Sequence, residues 1–242
     1  MRKLFFANWK MYLRDSEAEA LAHTYAERAV SASVDVVVAP SFTVLERVAE
    51  QLEGSPVALG AQDAFWKDDG AFTGEISPKQ LAALGVTYVI VGHSERRALG
   101  ETDEMIARKA TAVAADGLTP VLCVGETKEE REAGREESVV RAQLESVIST
   151  WSSEHPLLVA YEPRWAIGTG TPCRPEDVST MHTHIRQTLE ARGFAARVLY
   201  GGSVDPSNMR RYLDLPEVDG LLVGGASAHP DDAHALFDLL QK

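Results

Sequence analysis

Residues 88–97 read YVIVGHSERR. The run Tyr88–Val91 is apolar and unbroken, with three β-branched residues in succession. That pattern suits a parallel strand buried on both faces. The run stops at Gly92. His93 then leads into SERRALG, which reads as a helical turn with Ser94 near its cap position. A strand, a polar motif at its carboxyl end and a helix directly after it make one βα unit.

The unit repeats along the chain. Apolar runs fall at Leu4–Ala7, Val34–Ala39, Val57–Ala61, Tyr88–Val91, Pro120–Val124, Leu157–Tyr161, Val198–Tyr200 and Leu221–Val223. Helical patterns lie between them, among them SEAEALAHTYAERAV (16–30), TDEMIARKATAVAADG (102–117) and SVVRAQLESVISTW (138–151). Asp103 and Gly117 serve as start and stop signals of the second. Eight runs in 242 residues recur about every thirty residues, the size of a βα unit in an eightfold barrel. No stretch has the composition of a linker. The expectation is an α/β protein, a single (β/α)8 barrel domain over residues 1–242. An open doubly wound sheet is the runner-up, and it requires a reversal of strand order.

The polar motifs sit just after apolar runs: NWK after LFFA, GHSERR after YVIV, GET after VLCV, EP after LLVAY, GGS after VLY and GGAS after LLV. In a (β/α)8 barrel the carboxyl ends of the strands carry the active site. Six motifs are therefore expected at one mouth.

Composition excludes several classes. The chain is 45% hydrophobic and 25% charged, which suits a globular protein with a large core. No apolar run approaches the roughly 18 residues of a membrane span. LFFA is too short for a signal-peptide core, so the chain is expected to begin at or near Met1 and to reside in the cytoplasm. Cys123 and Cys173 lack metal-ligand spacing and form no disulfide framework. Cys123, inside a strand, reads as core packing. A net charge of −12 with no basic block disfavours nucleic acid. An anionic small substrate requires local positive potential against that field.

Glu162 closes a strand, and Pro163 pushes it toward extended geometry. A general base must be held within reach of one proton, and such a base contributes about 10²–10⁴-fold in rate. The plain alternative is an exposed strand-end carboxylate. The AIGTG that follows (166–170) is too apolar for a solvent loop and too rich in glycine for a helix. A mobile flap with an apolar underside explains both features; a loop packed on the rim is the alternative. His93, at a helix N-terminus, faces the positive dipole end, which disfavours its charged form. A neutral imidazole can donate to a carbonyl oxygen; a structural histidine bonded to backbone is the alternative. Asn8 and Lys10 point the same way and Trp9 the other. Lys10 can stabilise an oxyanion or be a snorkelling surface lysine. Gly201-Gly202-Ser203 and Gly224-Gly225 follow the last two runs, where barrels commonly bind phosphate. His182 and His184, two apart on a helix, face different directions and make a poor metal pair. TKEEREAGREE (127–137) reads as a solvated helix face.

From Lys3 to Leu240 the chain resembles the triosephosphate isomerases. The resemblance rests on NWKM (8–11), GAQ (60–62), GAFTGEIS (70–77), GHSERR (92–97), CVGE (123–126), YEPxWAIGTG (161–170), YGGSV (200–204) and LVGGAS (222–227). It implies a TIM barrel, a step of glycolysis and gluconeogenesis, and interconversion of dihydroxyacetone phosphate and D-glyceraldehyde 3-phosphate through an enediolate. Carried over residue by residue, Glu162 is the catalytic base, His93 the electrophile and proton carrier, and Lys10 and Asn8 the groups that stabilise negative charge. Gly168, Ser203, Gly224 and Gly225 match the phosphate contacts, with Ser94 and Glu95 as supporting residues. No metal or organic cofactor is implied, nor a nucleic acid or membrane partner. The implied assembly is a homodimer. In it FWKDDGAFTGE (65–75) enters the partner, and Thr73 at its tip meets the other subunit's Asn8 region; the alternative is a loop folded back on its own barrel.

Departures from the family pattern are Arg164 for a small aliphatic residue at the first flap hinge, and Thr171-Pro172-Cys173 at the second. Tyr12 and Asp63 differ from the usual Asn near the expected dimer contact. Two other functions compete. An aldolase-like barrel needs a mid-chain strand-end lysine for a Schiff base, and none is present. A non-catalytic sugar-phosphate-binding barrel is expected to have lost Asn8, Lys10, His93 or Glu162, and all four are present.

Overall fold

The computed structural model describes residues 2–30, 32–149, 151–152, 155–167 and 172–241. Eight parallel strands form in it: β1 (Leu4–Asn8), β2 (Asp35–Ala39), β3 (Val57–Ala61), β4 (Val86–Val91), β5 (Thr119–Val124), β6 (Leu158–Tyr161), β7 (Arg197–Tyr200) and β8 (Gly220–Val223). Each pairs with the next, and β8 pairs back to β1 with Leu4 opposite Gly220. The sheet is a closed barrel, which excludes the open doubly wound alternative. The eight apolar runs match these strands to within two residues at either end.

Alternation along the strands builds two apolar layers. In β1, Leu4 and Phe6 point into the barrel, where they meet Val37, Ile90, Val121, Leu158, Leu199 and Leu222. Phe5 and Ala7 point outward against the helices, together with Val36, Val38, Val89 and Val91. Apart from residues at or near the amino ends, such as the exposed Asp35 and Thr87, both faces of the strands are largely buried, which is why the runs are unbroken rather than alternating. Each fully buried large apolar side chain contributes about 1.5–3 kcal/mol.

Around the barrel lie α1 (Asp15–Ala29), α2 (Leu45–Leu52), α3 (Pro78–Ala83), α4 (Ser94–Ala98), α5 (Asp103–Ala115), α6 (Lys128–Glu132), α7 (Glu136–Ile148), α8 (Pro175–Glu190), α9 (Met209–Leu213), α10 (Gly225–Ala228) and α11 (Pro230–Leu240). Helix α5 starts at Asp103 as read, with Thr102 capping it by accepting the N–H of Met105. Two local readings need correction. Ser94 does not cap α4: His93 does, its ring accepting the backbone N–H of Glu95. The stretch 127–137 is not one helix face. Thr127 and Glu130 form a capping box that starts α6, Gly134 at φ 65° breaks it, and α7 begins at Glu136.

Asp63 is paired within its own subunit: its carboxylate takes Lys109 Nζ on α5 at 2.7 Å and Arg96 on α4 at 3.0 Å. Glu101 completes the cluster by pairing with both Lys109 and Arg96. The loop after β3 stands outward instead of folding back. Residues 67–75 are exposed, Phe65 stacks with Trp66 and Phe72, and Phe65 N–H closes the base on Ile76 O at 2.8 Å.

On α8 the two histidines diverge as expected. His184 Nε2 lies 3.2 Å from Glu137 O, and His182 Nδ1 lies 3.2 Å from Glu217 O. His182 is fully buried and its Nε2 has no partner. Desolvation lowers its pKa to about 4, with the Glu217 carbonyl opposing. The unfolded chain takes up this proton near pH 6.5, and the folded chain does so only near pH 4. The contribution of neutral His182 to stability is therefore complete above about pH 6.5 and is lost as pH falls toward 4. Urea unfolding should lose about 2 kcal/mol between pH 7 and pH 5 from this residue. His182→Gln should remove that part of the pH dependence; an unchanged pH profile in the variant contradicts the assignment.

Candidate active site

The carboxyl ends of the strands open into a cavity of about 780 Å³. Its lining takes at least one residue from each of the six motifs: Asn8 and Lys10, His93 to Glu95, Thr127, Glu162, Gly201 to Ser203, and Gly224 to Ala226. Barrel closure brings together segments separated by more than 200 residues of chain.

Glu162 follows β6, and its N–H still bonds Val124 O at 2.8 Å, so the backbone is held by the sheet. The side chain is buried. Its Oε2 accepts the Ser94 N–H at 2.8 Å, and its Oε1 lies 3.0 Å from His93 Nε2. A Cβ on Gly201 would stand 3.0 Å from Glu162 Cγ, so glycine there leaves room for the carboxylate. The partners of His93 assign its tautomer. Nδ1 accepts the Glu95 N–H at 3.2 Å, which leaves the ring proton on Nε2, facing Glu162. Gly92 makes this possible: at φ 71° it turns the chain sharply between β4 and His93. Ser94 acts here through its backbone, while its buried Oγ has no partner.

Lys10 has φ 49°, a left-handed conformation rare for a residue with a side chain. Such strain persists only where the surroundings enforce it. Asn8 Oδ1 accepts the Lys10 N–H at 3.1 Å, and Gln62 Nε2 donates to Lys10 O at 2.7 Å and Ala39 O at 3.0 Å. The ammonium then reaches the cavity and pairs with Glu95 Oε1 at 2.5 Å. A Cβ on Gly224 would lie 3.0 Å from Lys10 Cε. Trp9 points the other way, into the core against Tyr25.

The glycine motifs after β7 and β8 line the same cavity, and Gly225 opens the short helix α10. Ser203 Oγ donates to Ala166 O at 2.7 Å, which ties the β7 loop to the start of the apolar flap sequence. Gly168, together with Thr169, Gly170 and Thr171, lies outside the described residues, and so do the flap apex and one residue of its second hinge. Thr73 does not line this cavity; it is exposed on the loop after β3.

Two positioning residues went unassigned in the sequence. Gln62 is one, and Glu126 is the other. Buried at the end of β5, Glu126 accepts Trp165 Nε1 at 2.8 Å, Tyr161 Oη at 3.1 Å and Arg131 Nη1 at 3.1 Å. Its carbonyl accepts the Arg164 N–H at 3.1 Å. The chain after Glu162 is thereby fastened to β5. Their signal was present, a polar residue one or two positions past the end of an apolar run, but the partners lie far away in sequence. Cys123 sits beside Glu162 in the barrel interior. Desolvation first, then the Glu162 charge, push its thiol well above the usual range, so it packs rather than reacts.

The constellation comprises a buried carboxylate, a neutral imidazole donor, an ammonium and a glycine-lined pocket. It can move a proton next to a carbonyl and stabilise the resulting oxyanion. Comparison with known proteins agrees: the family model described as Triosephosphate isomerase matches residues 3–240. The chain belongs to the triosephosphate isomerase family. Proteins named triosephosphate isomerase from Roseiflexus sp. (strain RS-1), Herpetosiphon aurantiacus and Aquifex aeolicus are 48%, 46% and 44% identical to it. The alignments cover 94%, 96% and 96% of this chain and 93%, 96% and 96% of the relatives. Of the positions that depart from the family pattern, Arg164 lines the cavity, and Cys173 is buried beyond the undescribed stretch.

Proposed function

We propose that this chain interconverts dihydroxyacetone phosphate and D-glyceraldehyde 3-phosphate by proton transfer through an enediolate. Membership of the triosephosphate isomerase family supports the reaction. The single observation that carries the mechanism is the Glu162 carboxylate, buried and held between Ser94 N–H at 2.8 Å and His93 Nε2 at 3.0 Å.

Glu162 takes a proton from the carbon beside the carbonyl and returns it to the neighbouring carbon. His93, with its proton on Nε2, donates to the substrate oxygens and carries a proton between them. Lys10 stabilises the enediolate charge, with Asn8 holding the lysine backbone in place. The phosphate lies against Ser203, Gly224 and Gly225, with Gly168 of the flap closing over it. Glu95 orients both Lys10 and His93 through its carboxylate and its N–H. The barrel acts as one catalytic domain over 1–242, in the cytoplasm, where this reaction serves glycolysis and gluconeogenesis. Among the described residues no helix is long and apolar enough to cross a membrane.

A homodimer completes the reading. Of the five large apolar residues left exposed among the described residues, all but Val30 (Met11, Tyr12, Phe72 and Leu99) lie in segments that follow β1, β3 and β4. The outstanding loop 65–75, stiffened by its own aromatic stack, fits insertion into a second copy, with Thr73 at its tip reaching the partner's Asn8 region.

A coupled assay tests the reaction. Wild-type chain should isomerise D-glyceraldehyde 3-phosphate, and Glu162→Gln should lose about 10²–10⁴-fold in kcat with an unchanged circular dichroism spectrum. Full activity in Glu162→Gln overturns the base assignment. Sedimentation equilibrium should give twice the 26.3 kDa chain mass; a monomer mass in an active preparation contradicts the assembly.

A further inference from the structure

Arg164, two residues after Glu162, is in an unusual situation. Its backbone is fixed: the N–H bonds Glu126 O at 3.1 Å, and it begins the 3-10 turn Arg164–Ala166, whose last carbonyl accepts Ser203 Oγ at 2.7 Å. Its guanidinium makes no hydrogen bond or ion pair to any described residue. Arg14, Arg135, Arg141 and Arg211 share that unengaged state but are exposed, whereas Arg164 is half-buried and lines the cavity. A half-buried guanidinium with five donors and no protein acceptor is set to meet an anion from solution.

Charge at the site makes the effect large. Among the described residues, the cavity lining has three cations, Lys10, Lys128 and Arg164, against four carboxylates, Glu95, Glu129, Glu162 and Asp205. Lys10 is already paired with Glu95 at 2.5 Å. The whole chain, these residues included, carries −12. A phosphate dianion approaching this mouth meets a repulsive field unless an unpaired cation offsets it. Glu129, at the rim, registers that cation. Its carboxyl is held below the usual range chiefly by its own backbone N–H and the Thr127 hydroxyl, with Lys128 and Arg164 adding to the effect.

We propose that Arg164 recruits the phosphate dianion of the triose phosphate at the cavity mouth and hands it to the Ser203 loop, acting on substrate capture and not on the proton transfer. The inference rests on the isomerase reading above.

The test compares wild type, Arg164→Gln and Arg164→Lys in the coupled assay across ionic strength. Near 10 mM ionic strength, Arg164→Gln should lose about five- to tenfold in kcat/KM, with kcat within about twofold. At about 0.5 M salt the gap should shrink below about twofold, because screening removes the field. Arg164→Lys should recover most of the loss, since it restores the charge but not the shape. A loss that falls equally on kcat, persists at high salt and is not rescued by lysine overturns the proposal and makes Arg164 a hinge residue. An Arg164→Gln variant with wild-type kcat/KM at every salt concentration also overturns it. Wild-type chain with no isomerisation at all defeats the functional reading itself, so the two failures are distinct.

Discussion

A carboxylate with 2% exposure has given up most of its hydration, and Glu162 is in that position. Burying an ionised carboxylate is strongly unfavourable unless donors replace the lost water. Here two N–H groups from a single turn do so, the backbone of Ser94 and the ring of His93. A hydrogen bond to a charged group contributes about 1.5–3 kcal/mol. The turn must therefore present both donors to β6 at the correct height, which depends on the registers of β4 with β5 and of β5 with β6. Those registers, Val91 opposite Leu122 and Val124 opposite Tyr161, align the ends of three strands.

The same logic extends outward in layers of support. His93 keeps its donor on Nε2 because the start of α4 supplies a backbone N–H to Nδ1. Lys10 keeps its left-handed backbone because Asn8 and Gln62 bond to either side of its peptide unit. Glu126 fastens Trp165 and Arg164, so the flap sequence leaves Glu162 from a fixed point. Each reactive group is held by residues whose only chemistry is hydrogen bonding, which gives a site the precision that proton transfer requires.

Much of this was legible in the sequence. Parallel strands buried on two faces leave unbroken apolar runs, so all eight strands could be located. Polar motifs after those runs marked the mouth, and six of them do line it. Local capping was less legible. At α4 the imidazole of His93 takes the role expected of Ser94, because histidine can accept through Nδ1 when its proton is on the other nitrogen. At 127–137 one glycine with positive φ divides what periodicity joined. Long-range partners were not legible at all. Asp63 meets Lys109 across 46 residues and Glu126 meets Trp165 across 39. The glycines also carry a role that pattern could not reveal, since Gly201 and Gly224 make room for Glu162 and Lys10.

The central claim is that the buried Glu162 carboxylate moves a carbon-bound proton. Isomerisation of dihydroxyacetone phosphate in deuterium oxide tests it most directly, with the recovered substrate and product examined by proton NMR. A carboxylic base that exchanges its proton with solvent during the lifetime of an enediolate predicts deuterium at the carbon positions of both compounds. Isomerisation without solvent deuterium in either compound, as a direct hydride shift would give, contradicts the account.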